Sequence, residues 1–435
     1  MLDKIKKAGV IGAGGAGFPS YAKFTSKADY LIVNGAECEP LLRVDQQLMK
    51  TNAAEIISGI SIVLELISSK KAFIGIKKKY KEAIEILNAE IKKQGVLEKI
   101  EIKIIKDVYP AGDEQILVYE LTGRIVPEMG IPIMVGCVVV NPETLLNINN
   151  AVRKKLPVTE KFLTITGDVP TPITLKVPVG SPIRSVFKEA GIMSLENYSV
   201  IDGGPMMGTI IEDMDLYITK KSKSYILLKS NHPLIIKKKI TIAQAKRINN
   251  AACEQCRMCT DLCPRYLLGH DINPHKSMRT LGMKMDAIAG FDYTYLCSQC
   301  NLCTLFSCPA NLYPTSANLY YKEKLINKNI KYGVDKNKIY SERVFRNYKL
   351  LPTKRLIKRL GLSKFESKAE FSNKKINPNI VGIMIKPHIG ATPKLLVKKG
   401  DEVSSGQTIG IVEKDNLGAD IHSSIDGKVE NITEE

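Results

Sequence analysis

Eight of the ten cysteines stand in two tight groups whose spacing suits iron–sulfur ligation. The first reads C-x2-C-x2-C-x3-C-P, from Cys253 through Cys256, Cys259 and Cys263 to Pro264. The second reads C-x2-C-x2-C-x4-C-P, from Cys297 through Cys300, Cys303 and Cys308 to Pro309. Three thiolates two residues apart wrap one face of a cubane, and the fourth, before proline, reaches across to the neighbouring cluster. Proline turns the chain away and removes one backbone donor. The expectation is two 4Fe–4S clusters: one on Cys253, Cys256, Cys259 and Cys308, the other on Cys297, Cys300, Cys303 and Cys263. Zinc favours pairs of C-x2-C over triples closed by Cys-Pro, so it is set aside. The extra residue before Cys308 predicts a bulged turn. Such a pair is a wire for electrons with no chemistry of its own on organic substrates.

A second chemical signal lies at the start of the chain. Gly12-Ala13-Gly14-Gly15-Ala16-Gly17 matches G-x-G-x-x-G, and Glu37 follows about 20 residues on, where a ribose-binding acid would stand. Only Gly9-Val10-Ile11 precedes the loop, short for a first strand. The match fits a dinucleotide loop or another phosphate cradle, since glycines let backbone N–H groups approach a phosphate. Three further polar loops border apolar runs: Asn34 to Pro40, Tyr109 to Glu114, and Val140 to Leu145. Cys38 and Cys137 lie beside strand-like runs and read as buried thiols, with a functional role open for Cys38 because of its loop.

These residues must be held by several units, since 435 residues exceed one ordinary domain. Residues 1–155 alternate strands (Tyr30–Val33, Ala72–Ile76, Ile133–Val140) with helical spacing over 46–67 and 78–94, which implies an α/β layer. Residues 156–235 read as short strands with one helix at Ile183–Ala190. Residues 236–335 carry the cysteines between helices, 336–378 form a Lys/Arg/Asn-rich linker with a short helix near Leu351–Leu360, and 379–435 hold two strand–turn–strand units of a small sandwich. The charge of +18, from 63 basic and 45 acidic residues, reads as a lysine-rich surface; an acidic docking partner is the sharper alternative. No nucleic-acid-binding signature accompanies it. No apolar run approaches the roughly 20 residues of a membrane span, and no signal peptide is expected. The histidines His232, His270, His275, His388 and His422 show no paired metal spacing.

Taken in order, the G-x-G-G-x-G-F-P, N-x-x-E-x-E-P, Y-x-x-G-(D/E)-E and N-x-E-T-L loops resemble the flavin and NADH site of the flavin-bearing subunit of respiratory NADH dehydrogenase and of the Rnf complex C subunit. The resemblance to the cobalamin reductases of propanediol-utilisation microcompartments is closer and spans the chain. It includes Val44 to Met49, Asp107 to Glu114, Gly203 to Gly208, Cys253 to Arg257, Cys263 to Arg265, His388 to Ala391 and Ser424 to Gly427. Ala13 and Ala36 depart from the respiratory subunit, which has arginine and aspartate there, and agree with the cobalamin-reductase branch.

The resemblance implies FMN on the glycine loop, approached by Gly12, Gly14, Gly15 and Gly17. Lys23, Asn34, Gly112, Glu114, Asn141 and Thr144 would line its polar edges, and Phe18, Glu37 and Glu39 would border NADH. No catalytic acid is implied, because hydride transfer is the cofactors' work. It further implies a multidomain α/β chain: a Rossmann-like flavin/NADH domain, a β-grasp module, a helical two-cluster ferredoxin domain, and a C-terminal barrel-sandwich module without a lipoyl group on Lys428. The implied function is an NADH-dependent oxidoreductase passing electrons through FMN and two clusters to a cobalamin, with cobalamin or an adenosyltransferase as partner. The alternative is a relay to an iron–sulfur protein of a microcompartment shell, with no corrinoid acceptor. The implied location is cytoplasmic, inside or attached to a bacterial microcompartment.

Overall fold

The computed structural model describes residues 1–250, 253–282, 288–335 and 337–433. Residues 434 and 435 of the expected C-terminal module lie outside the described residues, as do 251, 252 and 283–287 of the cysteine-bearing segment and 336 of the linker.

The N-terminal unit is built on four parallel strands in the order Ile100–Ile105, Lys71–Lys77, Tyr30–Gly35, Cys137–Val140. Alternate residues of each strand face opposite sides. Leu31, Val33, Ala72, Ile74, Val138 and Val140 face one core with the helices Ala53–Leu66, Lys81–Lys93 and Pro142–Asn149. Ile32, Phe73, Cys137 and Val139 face the other with Leu117, Val118 and Leu121 of the helix Glu114–Thr122. Burial on both faces explains the continuous apolar runs in the sequence. The chain winds outward from Tyr30–Gly35 to Ile100–Ile105, then returns to the opposite side of Tyr30–Gly35. That reversal creates a crevice beyond the carboxyl ends of two neighbouring strands, the usual place for a ligand in an open α/β sheet.

A second sheet of five strands runs Ile173–Pro178, Glu160–Gly167, Ser224–Lys229, Tyr198–Asp202, Thr209–Ile211. Its two central strands are parallel and the other pairings antiparallel. One face takes the helix Ile183–Glu189 through Ile183, Val186 and Phe187. The other face, through Ile201, Ile226 and Leu228, packs on Leu41, Leu42 and Tyr109 from the first unit and on Cys300, Leu302 and Leu305 from the cysteine segment. Three parts of the chain thus share one core.

The cysteine segment is helical, with Ile242–Asn249, Pro274–Gly282 and Pro314–Asn327 as its longer helices. The extra residue before Cys308 is absorbed by a π turn, Cys303–Ser307, in which the Cys308 N–H donates to the Cys303 carbonyl at 3.1 Å. The segment read as a linker is packed rather than free. Leu351–Pro352 pairs antiparallel with Val108–Tyr109, and the helix Thr353–Arg359 buries Leu356 and Ile357 in the shared core. At the C-terminus, Lys394–Leu395, Thr408–Ile411 and Ile421–His422 form one small sheet, and Glu402–Val403 pairs with Gly427–Lys428. Among the described residues no helix is long and apolar enough to cross a membrane.

Candidate functional site

The crevice at the strand reversal collects most of the residues expected around FMN. Asn34 ends the first strand, and its amide Nδ2 donates to the Gly112 carbonyl at 2.8 Å. Asn141 and Thr144 open the helix Pro142–Asn149, and the Thr144 hydroxyl accepts from the Ala13 N–H at 3.0 Å. Lys23 Nζ lies 3.3 Å from a Glu114 carboxylate oxygen and 3.4 Å from the Val139 carbonyl. A Cβ on Gly14 would stand 2.7 Å from the Asn141 side-chain oxygen, and one on Gly112 would stand 3.1 Å from the Cys38 sulfur. The loops at 12–17, 34, 110–114 and 141–144 therefore converge, with little room for a side chain at Gly14 or Gly112.

The glycine loop is not the strand–loop–helix of a dinucleotide fingerprint. It closes on itself: the Gly12 N–H donates to the Phe18 carbonyl at 2.8 Å, Ile11 bridges Pro19, and a short 3₁₀ turn, Ser20–Phe24, follows. Residues 14–16 are exposed at its tip. Gly15 has φ +100° and nothing within 4 Å of where a Cβ would project. This is a cradle of bare backbone with open space over it, and it fits a phosphate-bearing ligand such as FMN. Gly17 sits deeper, its carbonyl accepting from Ile389 of the C-terminal module at 3.2 Å. Nearby, Lys220 Nζ donates to the Gly9 carbonyl at 2.9 Å, and burial lowers its pKa to about 8.

Glu37 and Glu39 are directed elsewhere in the protein. The Glu37 carboxylate accepts from the backbone N–H of Asp45 at 2.8 Å and of Gln46 at 3.2 Å, at the start of the helix Val44–Thr51. Burial and the neighbouring Asp45 raise its pKa to about 7. Glu39 accepts from the backbone N–H groups of Met206 and Met207, both at 2.9 Å. A Cβ on Gly204 would fall 2.1 Å from its carboxylate, so that loop needs glycine to admit Glu39. Glu143, within the N-x-E-T-L loop, is 1% exposed and pairs with the equally buried Lys161 of the second sheet. Nothing local in the sequence marked Lys161, because its aliphatic stem hides in an apolar strand.

One cavity brings the last cysteine of the first group to three of the second. Cys263, Cys297, Cys300 and Cys303 line one cavity together with Thr315 and Asn318. Burial pushes the Cys259 thiol up to about 12, and the nearby Cys253, Cys308, Cys256 and Cys263 add to the shift. Among the described residues no three His, Cys, Asp or Glu side chains converge on a single-ion site. Thiols spread over the walls of a cavity fit a cubane, which holds its four ligands apart at its corners.

The flavin-side crevice and this cavity adjoin. Tyr109 Oη donates to the Cys300 carbonyl at 2.8 Å. Arg265, two residues beyond Cys263, donates to Asp113 at 2.8 Å. Tyr109, Pro110, Ala111 and Ile116 share a small apolar cavity with Leu262, Pro264 and Leu302. His270 lies 2.9 Å from the Val126 carbonyl, and His275 2.8 Å from the Thr260 hydroxyl.

Residues 5–150 match the family described as the Nuo51 FMN-binding domain, 252–313 a 4Fe-4S dicluster domain, and 359–435 the RnfC barrel sandwich hybrid domain. Cobalamin reductase PduS of Citrobacter freundii is 38% identical over 436 residues, covering 100% of this chain and 95% of that one. The chain belongs to this family. The Salmonella typhimurium member is 37% identical with the same coverage. The C component of the Na(+)-translocating ferredoxin:NAD(+) oxidoreductase complex of Acetobacterium woodii is 34% identical over 61% of this chain and 58% of its own. The chain is thus an oxidoreductase with an FMN-binding domain and a two-cluster 4Fe–4S domain.

Proposed function

We propose that the chain draws electrons from NADH through FMN and two 4Fe–4S clusters and delivers them to a cobalamin, reducing Co(III). The observation that carries the electron path is the direct packing of loop 109–114 on the segment bearing Cys263 and Cys300, through Tyr109 and through Asp113 with Arg265. The acceptor follows from relatives that match over the full chain and are named cobalamin reductases. FMN supplies the exchange between the paired electrons of a hydride and the single electrons that clusters carry.

The chain's own residues hold and orient these groups. Gly12, Gly14, Gly15 and Gly17 provide the phosphate cradle; Lys23, Asn34, Gly112, Glu114, Asn141 and Thr144 line the crevice, with Phe18 at its edge. In this reading Glu37 and Glu39 act from behind, by fixing the helix Val44–Thr51 and the loop at Met206–Met207. Cys253, Cys256, Cys259 and Cys308 form one ligand set; Cys263, Cys297, Cys300 and Cys303 form the other. The second sheet, with two central parallel strands and one helix, supports a β-grasp reading of residues 156–235. The boundaries are proposed at 155, 235, 335 and 378. An adenosyltransferase is the expected recipient of the reduced corrinoid, and a microcompartment the expected setting, with a shell iron–sulfur protein as an alternative recipient.

The test is anaerobic: reconstituted protein with NADH and hydroxocobalamin should lose the Co(III) absorption bands. Reduced flavin with unchanged Co(III) bands would sink the cobalamin assignment and leave the relay.

A further inference from the structure

We propose that Arg265 sets the reduction potential of the cluster held by Cys263, Cys297, Cys300 and Cys303, and that Asp113 aims the guanidinium there. This rests on the ligand set proposed above and gives a role to two residues that the cofactor match does not assign. Arg265 Nη2 donates to Asp113 Oδ2 at 2.8 Å, and both side chains are 12% exposed. Its Nε and Nη1 are closed off from solvent and have no hydrogen-bond partner among the described residues. A guanidinium carries five N–H donors, and buried donors without an acceptor are rare enough to signal a missing partner.

The place of that partner follows from the neighbours. Arg265 is two residues beyond Cys263, and Asp113, which holds it, stands in the loop whose Tyr109 donates to the Cys300 carbonyl at 2.8 Å. Asp113 has little freedom: its other oxygen, Oδ1, accepts from the N–H groups of Gln115 at 3.0 Å and Ile116 at 3.2 Å, capping the helix Glu114–Thr122. One carboxylate thus joins the flavin-side helix to the arginine. The first thiol set has Arg257 nearby in sequence, but that side chain is 49% exposed and lies 3.6 Å from Asp261. Solvent screens it, whereas Arg265 acts in a drier setting. A fixed cation and N–H donors beside a cluster favour its more negative, reduced form and so raise its potential.

The measurement is an EPR-monitored redox titration of the reconstituted holoprotein, without NADH or cobalamin, so that failure of cobalamin reduction does not affect it. Cys256→Ser alters the first set and identifies which signal belongs to the second. Arg265→Gln should lower the reduced-to-oxidised ratio of the second cluster at fixed poise about tenfold, or about 59 mV for one electron, with the first cluster unmoved. Arg265→Lys keeps the charge and should hold that ratio to within about threefold. Asp113→Asn should give a fall between the two. Unchanged potentials in Arg265→Gln, or equal shifts of both clusters, would overturn the proposal. If Arg265→Gln loses iron, Arg265→Lys decides alone, and a tenfold or larger fall there counts against it.

Discussion

The Tyr109 hydroxyl donates to the Cys300 carbonyl across 2.8 Å, although 191 residues separate them. Tyr109 is 2% exposed and sits in the core shared by the first unit, the second sheet and the cysteine segment. Tyr109→Phe would keep the packing and leave the carbonyl without its donor. The expected loss is about 1–3 kcal/mol. Chemical denaturation of the cluster-loaded protein, followed by loss of the cluster absorption, should show the midpoint fall with iron content intact beforehand.

Gly15 offers a sharper test of the cradle. Its φ of +100° disfavours any side chain, and a Cβ would project into open space where FMN is proposed. Gly15→Val should therefore cut the FMN retained per protein chain while the two clusters still form. Flavin released on heating, set against iron content, reads both. Undiminished flavin would place the cofactor away from this loop.

The Glu143–Lys161 pair joins the first unit to the second sheet with neither partner reaching solvent. Removing one partner leaves a buried charge alone. Lys161→Met should cost about 3–5 kcal/mol, and Glu143→Gln combined with Lys161→Met should recover part of it. Unfolding midpoints of the two singles and the double form the cycle, and additive losses would show that the pair is not coupled.

Glu37 predicts a pH dependence. Its pKa in the folded chain is raised to about 7, first by burial and then by Asp45. A raised carboxylate binds its proton more tightly in the folded state, so its contribution is present below the unfolded value of about 4.5 and is lost as pH rises through about 7. Glu37→Gln, uncharged throughout, should gain stability relative to the parent between pH 5 and pH 8. Parallel pH profiles for the two proteins would rule the effect out.

Much of the fold was legible in the chain. The strands at Tyr30–Gly35 and Lys71–Lys77 stand where continuous apolar runs predict them, because both faces of that sheet are covered. The bulge before Cys308 followed from one extra residue, and it is a π turn. The linker did not read as packed, since its lysines and arginines dominate the composition while Leu351, Leu356, Ile357 and Leu360 do the burying. The glycine loop matched a dinucleotide pattern, yet backbone hydrogen bonds close it into a cradle ahead of the first strand.

What the sequence by itself determined is the local chemistry: eight thiols at cluster spacing, a glycine-rich loop, and polar loops at strand ends. Ligand spacing within a cubane and the conformational freedom of glycine act over a few residues, so they are written in order along the chain. Only the tertiary structure decided how those pieces meet. Cys263 shares a cavity with Cys297, Cys300 and Cys303. Glu39 binds backbone N–H groups 167 residues away. Asp113 reaches Arg265 across 152 residues. Each of these contacts depends on packed cores that bring distant segments together, and no local pattern encodes which carboxylate faces a ligand and which one braces the fold.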